Sequence, residues 1–280
     1  MRRQRLNFVS LFLISLSVPL NFVEADEDTV KQDDRTKQDK EAAVRLADMI
    51  KSVESVKVSI GETDMRELVR VKEPLQRWSN PVVQIVDATV FLWTDNGRPA
   101  AISQVAEVRD EGLALEFQSL TTKPLRGDLR SLPWAPPKGI TWLRAPTNEA
   151  PAKTPVARLI QMRKLAERYQ ISDIFEYKDP NQLRLIPRPL YRYSAPDDGV
   201  LDGALFSFAL GTDPEVIALV ESQKVEDADA WMIAFARLTG FACRATLDDK
   251  EVWASHLLAH PIPSQSAFMT LPWVRVNRQK

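Results

Sequence analysis

One nine-residue stretch occurs twice in the chain, and this repeat limits the possible folds more than any other feature of the sequence. The first copy, Glu73 to Pro81, reads EPLQRWSNP, and the second, Arg188 to Pro196, reads RPLYRYSAP and lies 115 residues later. At that offset residues 66 to 108 show eleven identities. Chance would give about three, at roughly 6% per position. A period of this length predicts a duplicated subdomain, since solenoid repeats are only about 20 to 50 residues long.

The similarity extends beyond these nine residues. Where aligned residues differ at the same offset, they are often of similar chemical type, as are Trp78 and Tyr193 or Ile85 and Val200. With a shift of three further residues, LALEFQSLT around Phe117 aligns with WMIAFARLT around Phe235. We therefore expect each copy to supply the same elements in the same order.

Hydrophobic periodicity predicts one helix and several strands in each copy. Apolar residues recur at helical spacing in 41–55 and 156–169, and Pro155 stands where the first turn of a helix favours proline. The central segments 84–94 and 200–210 are almost continuously apolar, which indicates strands buried on both faces. Asp95-Asn96-Gly97 is typical of a tight hairpin turn, so the first central strand should fold back on a partner.

The strands beside the central ones carry prolines or alternate in polarity. Prolines in 67–78 and 182–193 remove hydrogen-bond donors and predict edge strands or strands that end at a bulge. The segment 113–121 alternates, which predicts one wet face that includes Glu116. Its equivalent in the second copy is Ala234.

These patterns together predict an α+β fold. We expect two duplicated helix-plus-four-strand units, each with a mainly antiparallel sheet, packed in one body with pseudo-two-fold symmetry. The expected organisation is a signal peptide (1–25), a disordered leader (26–40), a first repeat (41–122), a proline-rich connection (123–155), a second repeat with an extra hairpin (156–258) and a C-terminal tail (259–280).

The N-terminal residues resemble a secretory signal peptide. Arg2, Arg3 and Arg5 precede an apolar run, and Val23-Glu24-Ala25 has the character of a cleavage site. We therefore expect export to the periplasm or the extracellular space, with no membrane span after removal of the signal. The alternative is an uncleaved anchor helix, for which the apolar run is short. A single cysteine, Cys243, allows no disulfide within the chain.

A formal net charge of −1 and the lack of a basic cluster argue against a nucleic-acid partner. The segments PLQRWSNP, VFLWTDNGRP, EFQSL and PLYRYSAPDDGVLDGALFSFALGTDPEV resemble a group of exported proteins of planctomycete bacteria whose function is not known. The resemblance covers most of the chain after the leader. It implies export and a shared fold, but it supplies no catalytic residue, cofactor or ligand.

Two polar pairs recur at equivalent places in both copies. Arg77 and Asp87 correspond to Arg192 and Asp202. Since arginine binds carboxylate or phosphate through two hydrogen bonds, the ligand-binding hypothesis takes Arg77 and Arg192 together with their aromatic neighbours Trp78 and Tyr193. The alternative is structural: each arginine bonds the aspartate of its own repeat and fixes the register of two strands, while the aromatic residues belong to the core.

The remaining chemically active side chains indicate no catalytic, cofactor or metal site. His256 and His260 lie four residues apart, but the segment runs into Pro261 and no third ligand is evident. Cys243 lies in an apolar strand, which favours an inert buried thiol. Motifs of the GxSxG, SxxK, P-loop and GxGxxG types are absent from the sequence.

Three functions fit these observations. The first is a non-catalytic exported protein that binds a ligand or partner at the surface between the repeats. The second is a hydrolase acting on an envelope or extracellular polymer through acid and base carboxylates that the sequence does not single out. The third is a structural component of the envelope. A deep cleft with a desolvated carboxylate would favour the enzyme, and a shallow aromatic groove would favour binding.

Overall fold

The computed structural model describes residues 26–174, 179–226 and 228–276, so the predicted signal peptide lies outside the described residues. The chain divides into two units, residues 1–41 and 42–280. The described residues of the first unit are helical and belong to helix α1 (Asp26–Glu54). We expected a disordered leader over 26–40. The charged and amide residues of this segment are adequate helix formers, so the helix begins without an apolar face.

The chain is mainly β, with two helices and three antiparallel sheets, one of them curled into a half-barrel. The expected α+β class is therefore met only in part. After α1, the first half contains β1 (Lys57–Ile60), β2 (Arg66–Glu67), β3 (Val69–Arg70), β4 (Gln76–Asn80), a short 3-10 turn (Pro81–Val83), β5 (Ile85–Asp95), β6 (Arg98–Val108), β7 (Gly112–Ser119), β8 (Leu125–Leu129) and β9 (Leu132–Trp134).

The second half has the same kinds of element. The segment that leads into it contains β10 (Leu143–Arg144). The second half contains α2 (Pro155–Glu167), β11 (Gln170–Ile174), β12 (Asn181–Leu185), β13 (Tyr191–Ala195), a 3-10 turn (Pro196–Asp198), β14 (Val200–Leu210), β15 (Asp213–Val225), β16 (Ala228–Arg237), β17 (Ala242–Leu247) and β18 (Lys250–Ser255), and β19 (Phe268–Thr270) follows it.

The sheets differ in size between the halves because of one strand. The first half has a four-stranded sheet, β2-β1-β8-β9, and a six-stranded sheet, β19-β7-β6-β5-β3 with β4 also on β5. The second half has one nine-stranded sheet, β10-β16-β15-β14-β12-β11-β17-β18 with β13 also on β14. In the second half, strand β12 pairs with both β11 and β14. In the first half two separate strands make the corresponding pairs: β2 pairs with β1, and β3 pairs with β5.

The central strands form as predicted. In β5 and β14 almost every residue is buried on both faces, in keeping with their continuous apolar sequence. The β5–β6 hairpin closes through Asn96 and Gly97, whose φ angles are 49° and 86°. Positive φ at both central residues is what a type I′ turn requires, and asparagine and glycine adopt it at least cost.

The strand register of the two halves is the same. The four partner pairs of β4 with β5 match those of β13 with β14 at an offset of 115 residues, and the bulges fall at equivalent places. The β5–β6 and β14–β15 ladders match in the same way. In the next ladder Ser103 lies opposite Phe117 and Ala218 opposite Phe235, so the predicted shift of three residues is present.

The segment 123–155 has more structure than we expected. It contains the β8–β9 hairpin and β10, and β10 pairs with β16 of the second half. The β17–β18 hairpin, which we interpreted as an addition to the second copy, is the equivalent of β8–β9. Proline obscured the first hairpin, since Pro133 lies in β9, an edge strand that tolerates it.

The C-terminal segment is also part of a sheet. Strand β19 pairs with β7 of the first half, and Phe268 is buried. The strand that follows each half thus joins the sheet of the other half: β10 follows the first and pairs in the second, while β19 follows the second and pairs in the first. This exchange ties the halves together within residues 42–280.

Each helix packs its apolar face on the sheet of its own half. Thr154 caps α2 by accepting a hydrogen bond from the Ala157 N–H, and Pro155 occupies the first turn as predicted. Met162 of α2 and Met49 of α1 lie at equivalent places, and both are fully buried. A third core cluster joins the halves, with Val90 and Leu92 of β5 and Leu205 of β14 among its members. No helix within the described residues is long and apolar enough to cross a membrane.

Candidate functional site

The two predicted arginine–aspartate pairs form within their own repeats. Arg77 donates from Nε to Oδ1 of Asp87 at 2.8 Å and from Nη2 to Oδ2. Arg192 donates from Nε to Oδ1 of Asp202 at 3.0 Å and from Nη2 to Oδ2 at 2.7 Å. Each arginine lies on the strand that pairs with the strand of its aspartate. The pairing that the structural interpretation predicts is confirmed.

Each pair is completed by a second arginine from the helix of the same half. Arg45 donates from Nε to Asp87 at 3.1 Å, and Arg158 donates from Nε to Asp202 at 2.7 Å. Burial opposes ionisation of Asp202, but the hydrogen bonds from Arg192 and Arg158 outweigh it and hold the pKa of this carboxyl below its usual value. The two Arg–Asp–Arg groups therefore fasten each helix to its central strand.

The aromatic neighbours Trp78 and Tyr193 are buried. The Tyr193 hydroxyl donates to Glu221 Oε1 at 2.6 Å, whereas Trp78 Nε1 has no hydrogen-bond partner among the described residues. Arg77 and Trp78 border an open surface depression that Ile186 and Thr212 of the second half also line, while Arg192 and Tyr193 belong to the sheet of the second half. The four residues of the ligand-binding hypothesis are thus divided between the halves, and whether they bind a ligand stays a prediction.

A large cavity lies elsewhere, between the halves. It has a volume of about 800 Å³ and its wall is mainly apolar. We call it the open cavity. Its lining residues include Asn80, Val82, Val83, Gln104, Ala106, Glu116, Asp173, Leu210, Asp213, Glu215, Thr239, Leu257, His260, Thr270 and Trp273.

Four carboxyl groups line the open cavity. They are supplied by β7 (Glu116), β11 (Asp173) and β15 (Asp213 and Glu215). Asn181 donates a 2.9 Å hydrogen bond to Asp173 Oδ1, and Asn80 Nδ2 lies 3.5 Å from Asp213 Oδ2. Acidic side chains are rarely buried without a paired cation. Their position on three strands from both halves brings together groups that are remote in sequence.

Burial makes these carboxyl groups reluctant to ionise. Burial, with the nearby Asp213 carboxyl, raises the pKa of Glu116 to about 8, although part of the Glu116 surface remains open to the cavity. Burial, with the nearby Asp173, raises the pKa of Asp213 to about 7. The pKa of Glu215 is raised well above its usual value and that of Asp173 is also raised, again mainly by burial.

Arg237 lies next to this group on β16, but its donors are directed to the backbone. Its guanidinium donates to the carbonyl oxygens of Thr239 at 2.6 Å, His256 at 2.8 Å and Phe241 at 2.5 Å. Burial lowers the pKa of Arg237, while the charge of Glu116 opposes this effect. Arg237 therefore fixes the loop after β16 and the end of the β17–β18 hairpin.

Gln104 adds an unsatisfied acceptor to the cavity wall. It lies directly opposite Glu116 on the neighbouring strand, is only 7% exposed, and its Oε1 has no hydrogen-bond partner among the described residues. A buried polar atom without a partner costs free energy of about 1–3 kcal/mol, so such atoms are uncommon away from functional places. Among such atoms in the described residues, Gln104 Oε1 belongs to a residue of the cavity wall, so it can accept a hydrogen bond from a bound molecule.

The mouth of the open cavity is apolar. Large hydrophobic residues with exposed side chains line it, and Val82 is 91% exposed. Scattered exposed hydrophobic residues are ordinary, but a group around one opening is typical of a binding surface. The members are Val82, Val83, Leu210, Leu257 and Trp273.

A second place between the halves, at corresponding positions of the strands, is filled. We call it the closed site, and its cavity holds only about 20 Å³. Arg98 donates to Glu221 from Nε at 3.0 Å and from Nη2 at 2.7 Å, and its guanidinium lies 5.9 Å from the centre of the Trp142 ring. Six residues that line the closed site correspond to residues that line the open cavity. The pairs, with the closed-site residue first, are Ile60/Asp173, Arg98/Asp213, Ala100/Glu215, Thr121/Thr239, Trp142/Thr270 and Asp198/Val83.

The difference between the two places follows from a few substitutions. Arg98, Trp142 and Glu221 fill the closed site, and their equivalents Asp213, Thr270 and Ala106 leave space in the open cavity. Trp78 takes the place of Tyr193, and since Ala106 replaces Glu221, its indole N–H has no carboxylate to bond. The four carboxyl groups of the open cavity hold strand positions that correspond to those of Ile60, Arg98, Ala100 and Ala234.

The other side chains singled out by the sequence have no evident catalytic arrangement. Cys243 is buried as predicted, and burial raises the pKa of its thiol to about 12. His260 lines the open cavity, and the His256 carbonyl accepts from Arg237. Within the described residues, no group of three or more histidine, cysteine, aspartate or glutamate side chains could hold a metal ion.

Sequence reasoning missed the carboxyl groups of the open cavity. Glu116 was assigned to a wet face, but this face is only partly exposed: Glu116 is half-buried in the cavity wall, and Gln118 is 2% exposed. The available signal was in the repeat itself: Asp213 and Glu215 interrupt an otherwise apolar strand at positions where the first copy has Arg98 and Ala100. The chain matches no known protein family, and no curated protein and no solved structure matches it.

Proposed function

We propose that the chain consists of two diverged copies of one helix-plus-sheet unit, related by a pseudo-two-fold axis. The common register, the matching bulges and the two Arg–Asp–Arg groups support this proposal. The open cavity and the closed site support it further, because six pairs of their lining residues hold corresponding places in the strands of the two halves. Duplication gives two equivalent places between the copies, and each could then change independently.

The function we propose is the binding of a small molecule in the open cavity by an exported protein. The observation that carries it is the asymmetry between the two places. One is filled by an internal ion pair and an indole ring, while the other is open, apolar at its mouth, and lined with carboxyl groups that are costly to bury. A stable fold does not require carboxyl groups to be buried at this cost in free energy. We therefore attribute their presence to the binding of a ligand. The signal-peptide-like N-terminus supports export.

The test is a titration with N-phenylnaphthylamine, a small apolar dye that becomes fluorescent on leaving water. The wild type should bind it in the cavity. A variant that copies the closed site, Ala106→Glu with Asp213→Arg, should lose most of the binding because the new ion pair fills the space. Asp229→Asn makes the same net charge change, one positive unit, at an exposed position and should bind as the wild type does.

Thermal unfolding of each variant shows whether it is folded. Equal dye binding by the wild type and by the folded Ala106→Glu, Asp213→Arg variant would contradict the proposal, and so would the absence of binding by the wild type. Loss of binding in this variant alone supports it.

Acid–base hydrolysis of an envelope or extracellular polymer is the second candidate function, and one observation favours it. Asp213 and Glu116 have pKa values of about 7 and 8, so one cavity holds carboxyl groups that can donate or accept a proton near neutral pH. Release of reducing ends or new carboxylates from cell-envelope polymers would reveal such an activity. Asp213→Asn should then abolish turnover but retain dye binding, whereas the binding hypothesis predicts no turnover in the wild type.

A further inference from the structure

We infer that the ligand of the open cavity is an amphiphilic amine, a molecule with a protonated nitrogen and a hydrocarbon body. The nitrogen would lie at the acidic end of the cavity near Glu116, Asp213 and Gln104, and the hydrocarbon body would lie along the apolar wall toward the mouth. This inference rests on the proposed binding function and names its ligand class.

The first argument is the balance of charged groups around the cavity. Four carboxyl groups line it, and His260 is the only basic side chain among its described lining residues. The nearest buried cation, Arg237, donates to three backbone carbonyls. A bound cation favours the ionised form of these buried carboxyl groups and offsets its charge, whereas a bound anion opposes their ionisation.

The second argument is the unsatisfied acceptor. Gln104 Oε1 is buried and unpartnered, and Glu116 lies beside it across the two strands. An ammonium group has three donors and no acceptor, so it can satisfy an amide oxygen and a carboxylate at once. A ligand that offers only acceptors would leave Gln104 Oε1 unsatisfied.

The third argument comes from the closed site. There the chain itself supplies a cation on an aliphatic stem, since Arg98 binds Glu221 and its guanidinium lies over the Trp142 ring. The equivalent of Arg98 in the open cavity is Asp213, so the chain supplies no cation at that position. An amphiphilic amine would occupy the volume that an arginine side chain and an indole ring fill in the closed site.

The apolar mouth of the open cavity is the reason to expect a hydrocarbon body in the ligand. Val82, Leu257 and Trp273 are 91%, 43% and 51% exposed, and they continue the apolar wall to the surface. Burial of these side chains by a hydrocarbon chain would contribute favourable free energy roughly in proportion to the apolar area covered. A purely hydrophilic cation would gain nothing from this part of the cavity.

The experiment compares three molecules with the same hydrocarbon chain: octylamine, octanol and octanoate. Each displaces N-phenylnaphthylamine from the full protein at neutral pH. Octylamine should bind about tenfold or more tightly than octanol, and octanoate should bind most weakly. In Asp213→Asn the affinity for octylamine should fall about tenfold, while that for octanol stays within about threefold of the wild type.

Gln104→Leu is the second variant, and the equivalent position already holds leucine, Leu219. It should also weaken octylamine more than octanol. If octanol or octanoate binds as tightly as octylamine in this displacement experiment, the inference is overturned, but the proposed binding function is still supported. If the dye does not bind the wild type, the proposed function fails, and the inference fails with it.

Discussion

Arg98 and Glu221 form a two-point ion pair that joins the first half of the chain to the second, with Nε–Oε1 and Nη2–Oε2 distances of 3.0 and 2.7 Å. The Glu221 side chain is completely buried. Tyr193 and Gln223 also donate to it. This network fills the closed site, and its absence on the other side leaves the open cavity.

Removal of the cation from this network should destabilise the fold. Arg98→Met leaves the buried Glu221 carboxylate without its paired charge, and we expect a loss of about 3–5 kcal/mol in the free energy of unfolding. Arg98→Met with Glu221→Gln should recover part of the loss because no charge then remains buried. Urea denaturation measures both. A loss of under about 1 kcal/mol in Arg98→Met would show that the pair contributes no more than an exposed one.

The Arg–Asp–Arg groups should respond to substitution in the same way in both halves. Arg77→Ala and Arg192→Ala should each cost about 1–3 kcal/mol, because each leaves a nearly buried aspartate that retains only its helix arginine. The two losses should be similar, and Asp87→Ala or Asp202→Ala should add little to the corresponding arginine change. Melting temperatures of the single and double variants check this expectation. Strongly unequal losses would count against equivalent structural roles.

The carboxyl groups of the open cavity should make stability fall as pH rises. Asp213 has a pKa of about 7 in the folded protein, against about 3.9 in an unfolded chain. Between these values the folded state binds the extra proton, so the free energy of unfolding decreases from about pH 4 to pH 7 and then levels off for this group. Glu116 extends the decrease to about pH 8.

The variant Asp213→Asn tests this pH dependence. Without the carboxyl group, stability should decrease less over the same pH range, by up to about 1.4 kcal/mol for each unit of the pKa difference. Denaturation midpoints at several pH values between 4 and 9 provide the measurement. Asp229→Asn, at an exposed position, should behave as the wild type does. An unchanged pH profile in Asp213→Asn would mean that Asp213 ionises normally.

Local sequence signals were sufficient for the frame of the fold. The apolar runs of β5 and β14, the Asn96-Gly97 turn and Pro155 at the start of α2 each depend on neighbours in sequence. The repeat predicted the common order and register. It also predicted the pairing of Arg77 with Asp87 and of Arg192 with Asp202, since ten residues separate the members of each pair in both copies.

The open cavity could not be predicted in the same way because it is made by packing. Glu116 comes from the first half, and Asp173 and Asp213 come from two different strands of the second. The hydrophobic periodicity of a strand does not show which other strands it meets in the folded protein. The β8–β9 hairpin was missed for another reason: its strands are short, and Pro133 lies in β9.

The most direct test of the account is a crystal structure of the full protein grown with octylamine. We expect continuous density in the open cavity, with the nitrogen within about 3 Å of a carboxyl oxygen of Asp213 or Glu116 and of Gln104 Oε1. The hydrocarbon chain should point toward Val82 and Trp273. Octylamine bound only elsewhere on the surface, with the open cavity free of it, would contradict the claim that this cavity is the binding site.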